Sequence, residues 1–313
     1  MSWSRLKVRH LEFLRDMGRI GSLTRIAQET GISQPAVTKT LAEIEALFDT
    51  TLFQRTGRGL KATEMGELAM VKARHLLQEL DHWGAEMEAV RQGHRARLKV
   101  GVVPYVPATL LTQAVIDMVG RHNIVIAISQ STTDVLVEAL ADHRLDCVVG
   151  RAWAVAGHQQ LWHEVLYGQR PVLIAHQNLV KRVRGRTLDW KKLAALQWML
   201  PAWTTPVGAK MAELFMRAQV PLPVPIVETY SVDVMHGVLS RNEGVIAPVP
   251  EDIAVEITRR GGVAILPWRM DWELPPISLI RRVRDTPLDA EEKFLEILKE
   301  LCAPFATNEK DSP

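Results

Sequence analysis

Cysteine is nearly absent: the 313 residues contain two, Cys147 and Cys302, too few for the disulfide framework of a small secreted scaffold. Cys147 lies in the apolar run Leu145-Asp-Cys-Val-Val-Gly150, where a buried free thiol is the expected state. Long hydrophobic runs are missing as well. No stretch approaches the ~18 apolar residues of a membrane span, and the opening MSWSRLKVRH is too charged for a secretory leader. A cytoplasmic protein with no membrane partner is expected. Metal and catalytic spacings are also lacking. Among ten histidines, His158 and His163 read as loop residues and His143 as an exposed helix end; no His-Glu-x-x-His, Cys-x-x-Cys or Gly-x-Ser-x-Gly occurs. The expectation is no metal, no cofactor and no enzymatic activity. Net charge is small too, at +2, which taken whole argues against a polyanionic partner.

Counted by segment, that argument fails. Residues 1–62 hold ten Lys or Arg against six acids, a charge of +4, and the remainder carries −2. A basic head on a slightly acidic body suits a polyanion-binding module joined to something else. The length fits two or three domains, and 47% hydrophobic residues suffice for large cores.

The head opens with a helical period in Leu6, His10, Phe13, Leu14 and Met17, ended by Gly18 and Gly21. Ser22 then offers an N-cap for a short helix over Leu23 to about Glu29, with Ile26 and Ala27 inward. Gly31 supplies a turn. Ser33 caps a third helix to about Phe48, with Pro35 tolerated in its first turn and Val37, Leu41, Ile44 and Leu47 inward. Two helices across a glycine turn predict a helix-turn-helix at about residues 23–42. The start of the second helix is the part that enters a major groove. Gln34 suits bidentate contact with adenine, Pro35 and Ala36 suit a thymine methyl, and Thr38 lies one turn on. Ser22, Ser33 and Lys39 are assigned to DNA with them, Ser33 and Lys39 being placed for phosphates. In Leu52-Phe-Gln-Arg-Thr-Gly-Arg-Gly-Leu60 two glycines predict a tight hairpin, the wing of a winged helix-turn-helix. It would carry Arg58 toward a minor groove with Arg55 on the backbone, unless Arg58 is a merely solvated turn residue. Gly57 and Gly59 lack the Lys-Ser/Thr and the strand-to-helix setting of a phosphate-binding loop.

These residues carry a resemblance. The run Leu11–Gly66 resembles the amino-terminal domain of the LysR-type transcriptional regulators, through Phe13, Gly21-Ser-Leu-Thr24, Ala27, Ser33-Gln-Pro-Ala-Val-Thr38, Ile44-Glu45, Leu52-Phe53, Arg55, Arg58, Leu60, Thr63 and Gly66. It departs from the family at Ile26, Thr38 and Phe48-Asp49, the last at the lead into the wing.

From 63 to 93 the sequence reads as one long connector helix. Its apolar positions Ala69, Ala73, Leu76, Leu80, Trp83, Met87 and Val90 alternate in spacings of 4 and 3, the coiled-coil period. Leu76, Leu80, Trp83 and Met87 are assigned to a homodimer interface, the alternative being packing on the same chain. The resemblance implies dimers of dimers, that is a tetramer, with promoter DNA, a small-molecule effector and RNA polymerase as partners.

Residues 94–303 alternate strands and helices, which predicts an α/β body of parallel doubly wound type. Its lobe I covers about 94–168 plus 269–303 and its lobe II about 169–268, followed by a disordered tail at 304–313. Such a two-lobed body resembles periplasmic binding proteins, and LysR-type regulators carry one. Ligands of open α/β sheets lie beyond the carboxyl ends of strands, so the loops there supply the candidates Tyr105, Thr132, Thr133, Arg151, Trp203, Thr204, Thr205, Ser231 and Pro248. By position they match the family's effector-contacting loops. Their chemistry suits a small polar or anionic ligand, with Tyr105 or Trp203 stacking on a ring. Each threonine is equally readable as a helix cap, and Arg151 as a surface residue. The basic run Lys181–Arg186 reads as a solvated loop or as additional DNA contacts. A ligand-responsive DNA-binding regulator is the reading these features favour. The alternatives are an architectural repressor with an inert body and an α/β enzyme with a DNA-binding head.

Overall fold

The computed structural model describes residues 3–56, 59–152, 160–183, 187, 189–203, 205–268, 274–284 and 288–306. They form two compact units, Met1–His94 with Asp142–Arg144, and Arg95–Ala141 with Leu145–Pro313.

The first unit contains α1 (Val8–Ile20), α2 (Leu23–Thr30), α3 (Gln34–Phe48), a hairpin of β1 (Phe53–Thr56) and β2 (Gly59–Ala62), and α4 (Glu64–Arg91). Helix α1 runs through Gly18, which was expected to help end it, and stops at Gly21, whose φ is +68°. Gly18 has a different use: a Cβ there would lie 3.4 Å from Met70 Sδ, so its bareness lets α4 approach α1 closely. The turn between α2 and α3 rests on Gly31 at φ +70°, a conformation costly for residues with a Cβ. Ser33 occupies the cap position of α3, yet its hydroxyl makes no capping hydrogen bond. Asp49 ends α3 at φ 53°, a backbone state that Asp tolerates better than most residues. The core joins Phe13, Leu14, Met17, Ile26, Val37, Leu41 and Ile44 to Leu52 and Phe53, and it is closed by Met70, Ala73 and Leu77 of α4. Leu47 is only half-buried, since α3 has turned by then.

Thr63 starts α4. Its hydroxyl accepts from Gly66 N at 3.0 Å and donates to the Thr51 and Leu52 carbonyls at 2.9 and 3.1 Å. The expected seam divides in two: Ala69 and Ala73 turn toward the head's core, whereas Leu76, Leu80, Trp83, Met87 and Val90 are exposed, Trp83 to 62%.

The second unit holds two five-stranded sheets. In the first, β3 (Ala96–Val102) pairs in parallel with β4 (Ile124–Gln130) and β5 (Cys147–Arg151). Strand β12 (Leu274–Arg282) runs antiparallel to β5 and to β6 (Leu161–Gln169). Helices α5 (Ala108–His122) and α6 (Thr133–Ala141) follow β3 and β4 in sequence. In the second sheet β7 (Pro171–His176) pairs antiparallel with β10 (Val245–Pro250) and β11 (Val263–Ile265). There β8 (Gln197–Leu200) is parallel to β10 and to β9 (Val227–Glu228). Helices α7 (Gln177–Val183), α8 (Trp190–Ala194), α9 (Pro206–Arg217), α10 (Val232–Leu239) and α11 (Glu251–Thr258) belong to this half, and α12 (Asp289–Ala306) packs on the first sheet.

Both sheets are therefore mixed, where a purely parallel pattern was expected. The two segments that cross between them, β6 to β7 and β11 to β12, bring the chain back in the opposite direction. Strand β6 places His163 in a sheet and not a loop; His158 lies outside the described residues. The run at 181–183 is the end of α7, and 184–186 lie outside the described residues. Helix α12 continues past Pro304 to Ala306, and the Phe305 ring rests 5.2 Å from that of Tyr167, so order extends beyond the expected start of the tail. Both cysteines are buried free thiols. Among the described residues no helix is long and apolar enough to cross a membrane.

Two glycines of α4 test this packing in opposite directions. A Cβ on Gly66 would stand 2.1 Å from the Leu52 carbonyl oxygen, while one on Gly84 would meet nothing within 4 Å. Gly66→Ala is expected to lower unfolding stability by about 1–3 kcal/mol, and Gly84→Ala to raise it by about 1 kcal/mol. Urea denaturation of the two variants measures both.

Candidate nucleic-acid interface and effector cleft

On the head, Ser33, Gln34, Pro35, Ala36, Thr38 and Lys39 are all exposed around the start of α3, and only Val37 among them turns into the core. The helix therefore presents one polar face whose amide, hydroxyl and ammonium groups are free to meet a partner. Thr38 Oγ1 donates to the Gln34 carbonyl at 3.0 Å, which leaves it acceptor capacity outward. Ser22 is half-buried and its hydroxyl accepts from Arg25 N at 3.5 Å, as the cap of α2. Arg19 and Glu29 pair at 2.7 Å and tie α1 to α2. Arg55 sits in β1 opposite Leu60; Arg58 lies outside the described residues.

Glu45 is the functional residue whose part the sequence did not disclose. Its Oε1 accepts from Leu52 N at 2.7 Å and Phe53 N at 3.2 Å. One carboxylate thus fixes where the wing leaves the recognition helix. Only the Ile44-Glu45 match to the family pointed at it.

In the body, the carboxyl ends of the parallel strands of the two sheets face each other. Tyr105, in the turn after β3, inserts its ring among Met199, Met235, Leu239 and Val249 beside the second sheet. Its hydroxyl meets Met235 Sδ at 3.8 Å, and its ring stands edge-on to Tyr230 at 5.8 Å. Ala108 N, at the start of α5, donates to Glu256 Oε2 of α11 at 3.3 Å. Tyr105 also has φ +70°, an outlier for a bulky side chain. Gln169 holds it there by donating Nε2 to the Tyr105 carbonyl at 2.9 Å.

Gln169 is the centre of a buried network. The same Nε2 lies 2.7 Å from Asp252 Oδ2 and 3.3 Å from the Tyr167 hydroxyl, which itself donates to Asp252 at 3.1 Å. Gln169 Oε1 accepts from Arg151 Nη2 at 2.5 Å, and Arg151 Nη1 donates to the Pro275 carbonyl. Pro275 and Pro276 have no N–H for the ladder, and the β12–β6 register slips at this point. Burial lowers the Arg151 pKa to about 10, opposed by the nearby Asp252 carboxylate. Burial also raises Asp252, against the hydrogen bonds it accepts. The phenols of Tyr105 and Tyr167 are pushed up by burial and stay neutral.

The remaining candidates fall into two groups. Thr205 and Ser231 cap α9 and α10, accepting from Gly208 N at 3.2 Å and Val234 N at 3.3 Å. Pro248, expected in a loop, is a buried residue of β10 paired with Leu173, because that strand extends to Pro250. Thr133 is buried at the start of α6, and Thr132 and Trp203 are half-buried. Thr204 lies outside the described residues. Arg151, readable as a ligand or surface residue, is neither exposed nor directed at an open site, being engaged by Gln169 and Pro275. Gln169 and Asp252 escaped the sequence reading, since a lone polar residue at a strand or helix end carries no spacing signal. Among the described residues no group of three or more His, Cys, Asp or Glu is placed to hold a metal.

Gln169→Leu keeps the side chain's size but leaves Arg151 short of an acceptor and Asp252 short of a donor. It is expected to cost about 3–5 kcal/mol of stability, read from chemical denaturation.

Comparison with known proteins agrees with this division. Residues 8–67 match the model of the bacterial regulatory helix-turn-helix proteins of the lysR family, and residues 91–303 match that of the LysR substrate binding domain. The transcriptional regulator GbpR of Azospirillum brasilense is 26% identical over 91% of this chain and 83% of its own length. PcaQ of Agrobacterium fabrum is 28% identical over 90% and 91%. Full-length CbnR in complex with its target DNA shares the fold, with a TM-score of 0.60 at 20% identity over 95% of this chain and all of that one. LysG of Corynebacterium glutamicum with bound effector Arg does so at 0.59 and 18% identity over 96% and 99%. The chain belongs to the LysR family and is a DNA-binding transcriptional regulator with an effector-binding domain, not an enzyme.

Proposed function

We propose that the protein acts as a homodimer joined along α4, whose two recognition helices read two half-sites of promoter DNA under control of a small polar or anionic metabolite bound in the body. The observation that carries this reading is the exposed stripe of Leu76, Leu80, Trp83 and Met87 on a 28-residue helix. At 1.5 Å per residue such a helix is about 42 Å long, and a second copy supplies a self-complementary cover for its stripe. Assembly of two such dimers into a tetramer, with RNA polymerase as a further partner, rests on the resemblance to the family.

On DNA, Gln34, Pro35, Ala36 and Thr38 contact base edges in the major groove, while Ser22, Ser33 and Lys39 face phosphates. Arg55 and Arg58 belong to the wing. The bound target DNA of CbnR supports this use of the head.

The effector lies between the facing strand ends. The first-turn amides of α6 have no intrahelical partner and offer donors for an oxygen-bearing ligand. Thr132, Trp203, Tyr230 and Ser231 are at least partly exposed there. The candidates Tyr105, Thr133, Arg151 and Pro248 act one layer below, by fixing the lobes. Thr205 precedes α9 at the same end of its sheet, and Thr204 is retained from the sequence alone. The bound effector of LysG supports a small-molecule ligand at this domain.

Three measurements test the reading. Gln34→Ala is expected to relax base preference at one operator position by about 1–3 kcal/mol, in competition binding against single-base operator variants; a uniform loss across all sequences would make Gln34 a backbone contact. Leu80→Glu combined with Trp83→Glu is expected to convert the dimer to monomer in sedimentation and to weaken operator binding in parallel. A metabolite panel should yield one compound that raises Tm and changes promoter binding. A compound that raises Tm without touching DNA binding or transcription would sink the sensor assignment.

A further inference from the structure

A cavity of about 180 Å³ lies in the first sheet's half of the body, lined by Trp162, Arg281, Arg282, Val283, Arg284 and Glu291. Arg281 pairs in register with Cys147, where β5 begins, and Arg282 with Leu161. The cavity is therefore at the amino ends of the parallel strands, the edge opposite the proposed effector site. It is smaller than the ~300–1,000 Å³ of drug-sized clefts, a size for one small molecule.

Three of its six lining residues are arginines and one is a carboxylic acid, and each arginine has a carboxylate within 4 Å, so an anion binds here by exchanging with one of those carboxylates. Arg281 lies over the Trp162 ring at 4.5 Å and pairs with Glu292. Arg282 donates to the Leu140 and Leu145 carbonyls at 2.7 and 2.5 Å and stands 3.9 Å from Asp146. Arg284 Nη1 is 3.1 Å from Glu291 Oε1. Glu291 is only 1% exposed, and neither of its oxygens accepts a well-aligned hydrogen bond among the described residues. A buried carboxyl held by one ion contact and no well-aligned hydrogen bond among the described residues is costly to keep charged.

We propose that this cavity binds a small organic monoanion, a carboxylate with a flat apolar body. Its carboxylate takes the guanidinium of Arg284 and the outer edge of Arg281, and its body rests on the Trp162 indole and Val283. Guanidiniums match the planar two-oxygen geometry of a carboxylate, and the indole wall favours a flat ligand over a bare oxyanion.

The ligand displaces Glu291 from Arg284, and Glu291 then binds a proton and donates its O–H to the anion. Burial already pushes Glu291 up to about 7; Arg284 opposes the rise, Asp146 adds to it, and Arg282 and Arg281 oppose it. The buried Cys147 thiol also lies within reach of its charge. Binding therefore takes up a proton, and affinity falls as pH rises past about 7.

Titration calorimetry of the full-length protein with benzoate, at about pH 6 and about pH 8 and in buffers of different ionisation enthalpy, tests this. Expected are saturable binding, proton uptake and weaker binding at the higher pH. Arg284→Ala and Trp162→Ala should each weaken binding roughly 10-fold or more. Glu291→Gln should keep binding while removing the proton uptake and the pH dependence. If Arg284→Ala fails to fold, Arg284→Lys, which keeps the charge but not the fork, should show the same loss. No binding at either pH overturns the proposal. Binding unchanged in the Arg284 and Trp162 variants also overturns it, since benzoate would then sit elsewhere. Inorganic phosphate competing as well as benzoate would overturn the organic-anion assignment.

Discussion

The reading head cannot close its own core. Three helices and a hairpin leave an apolar opening, and Met70, Ala73 and Leu77 of α4 fill it. The fit is tight where the helix begins, with Gly66 against the Leu52 carbonyl and Gly18 against Met70. The helix that leaves the head is therefore a structural part of it. Its direction is set by the same contacts that set α3, through Glu45, Leu52 and Thr63. One stripe of α4 is consumed in this way. The other, from Leu76 to Val90, remains exposed, and leaving it in water forgoes about 25 cal/mol per Å² of apolar surface. Completing the head thus creates the pressure toward a second chain, and any partner bound along that stripe inherits a fixed relation to the recognition helix.

The body solves a different problem with polar groups. Near the strand ends its two sheets are linked by buried polar groups beside the apolar seat of the Tyr105 ring. Gln169 joins Arg151, Tyr105, Tyr167 and Asp252 there. In a low-dielectric setting each of these bonds is strong, and each unmade one is expensive. The outlying φ of Tyr105 persists because its carbonyl is held and its ring is buried beside the opposite sheet. Polar networks of this kind are directional, so they favour one arrangement of the lobes far more sharply than a greasy contact would. A ligand entering between the strand ends needs only to add or disturb a few such bonds to bias that arrangement.

The head was legible from the sequence almost to the residue, because its signals are local: a capping serine, glycines with positive φ, a proline in the first turn of α3. Its exceptions are instructive. Gly18 looked like a terminator and is a close-packing site, since a glycine's tolerance for a turn and its lack of a side chain leave the same mark in sequence. The body was legible as alternating strands and helices but not as mixed sheets. Periodicity records which residues face a core and carries no information on strand direction. Strand β6 escaped because His163 and Glu164 interrupt its apolar run, and they can do so because β6 is an edge strand.

The candidate effector residues show the deeper limit. A threonine before a helix has one hydroxyl, and Thr205 directs its proton to the Ala202 carbonyl at 2.7 Å while accepting from Gly208 N. The residue type that suits a ligand is also the type that suits a helix start, and the two uses compete for the same oxygen. Arg151 is the same case in charged form: its fork would suit a carboxylate, and Gln169 and the Pro275 carbonyl already occupy it. Sequence names the groups that can bind but not the partners that have already claimed them. Specificity in such a cleft then has to come from groups whose partners are few, such as the first-turn amides of α6 and the half-exposed rings of Trp203 and Tyr230. These positions are only partly buried, so a change of side chain there alters the cleft without touching the core of the head or its helix.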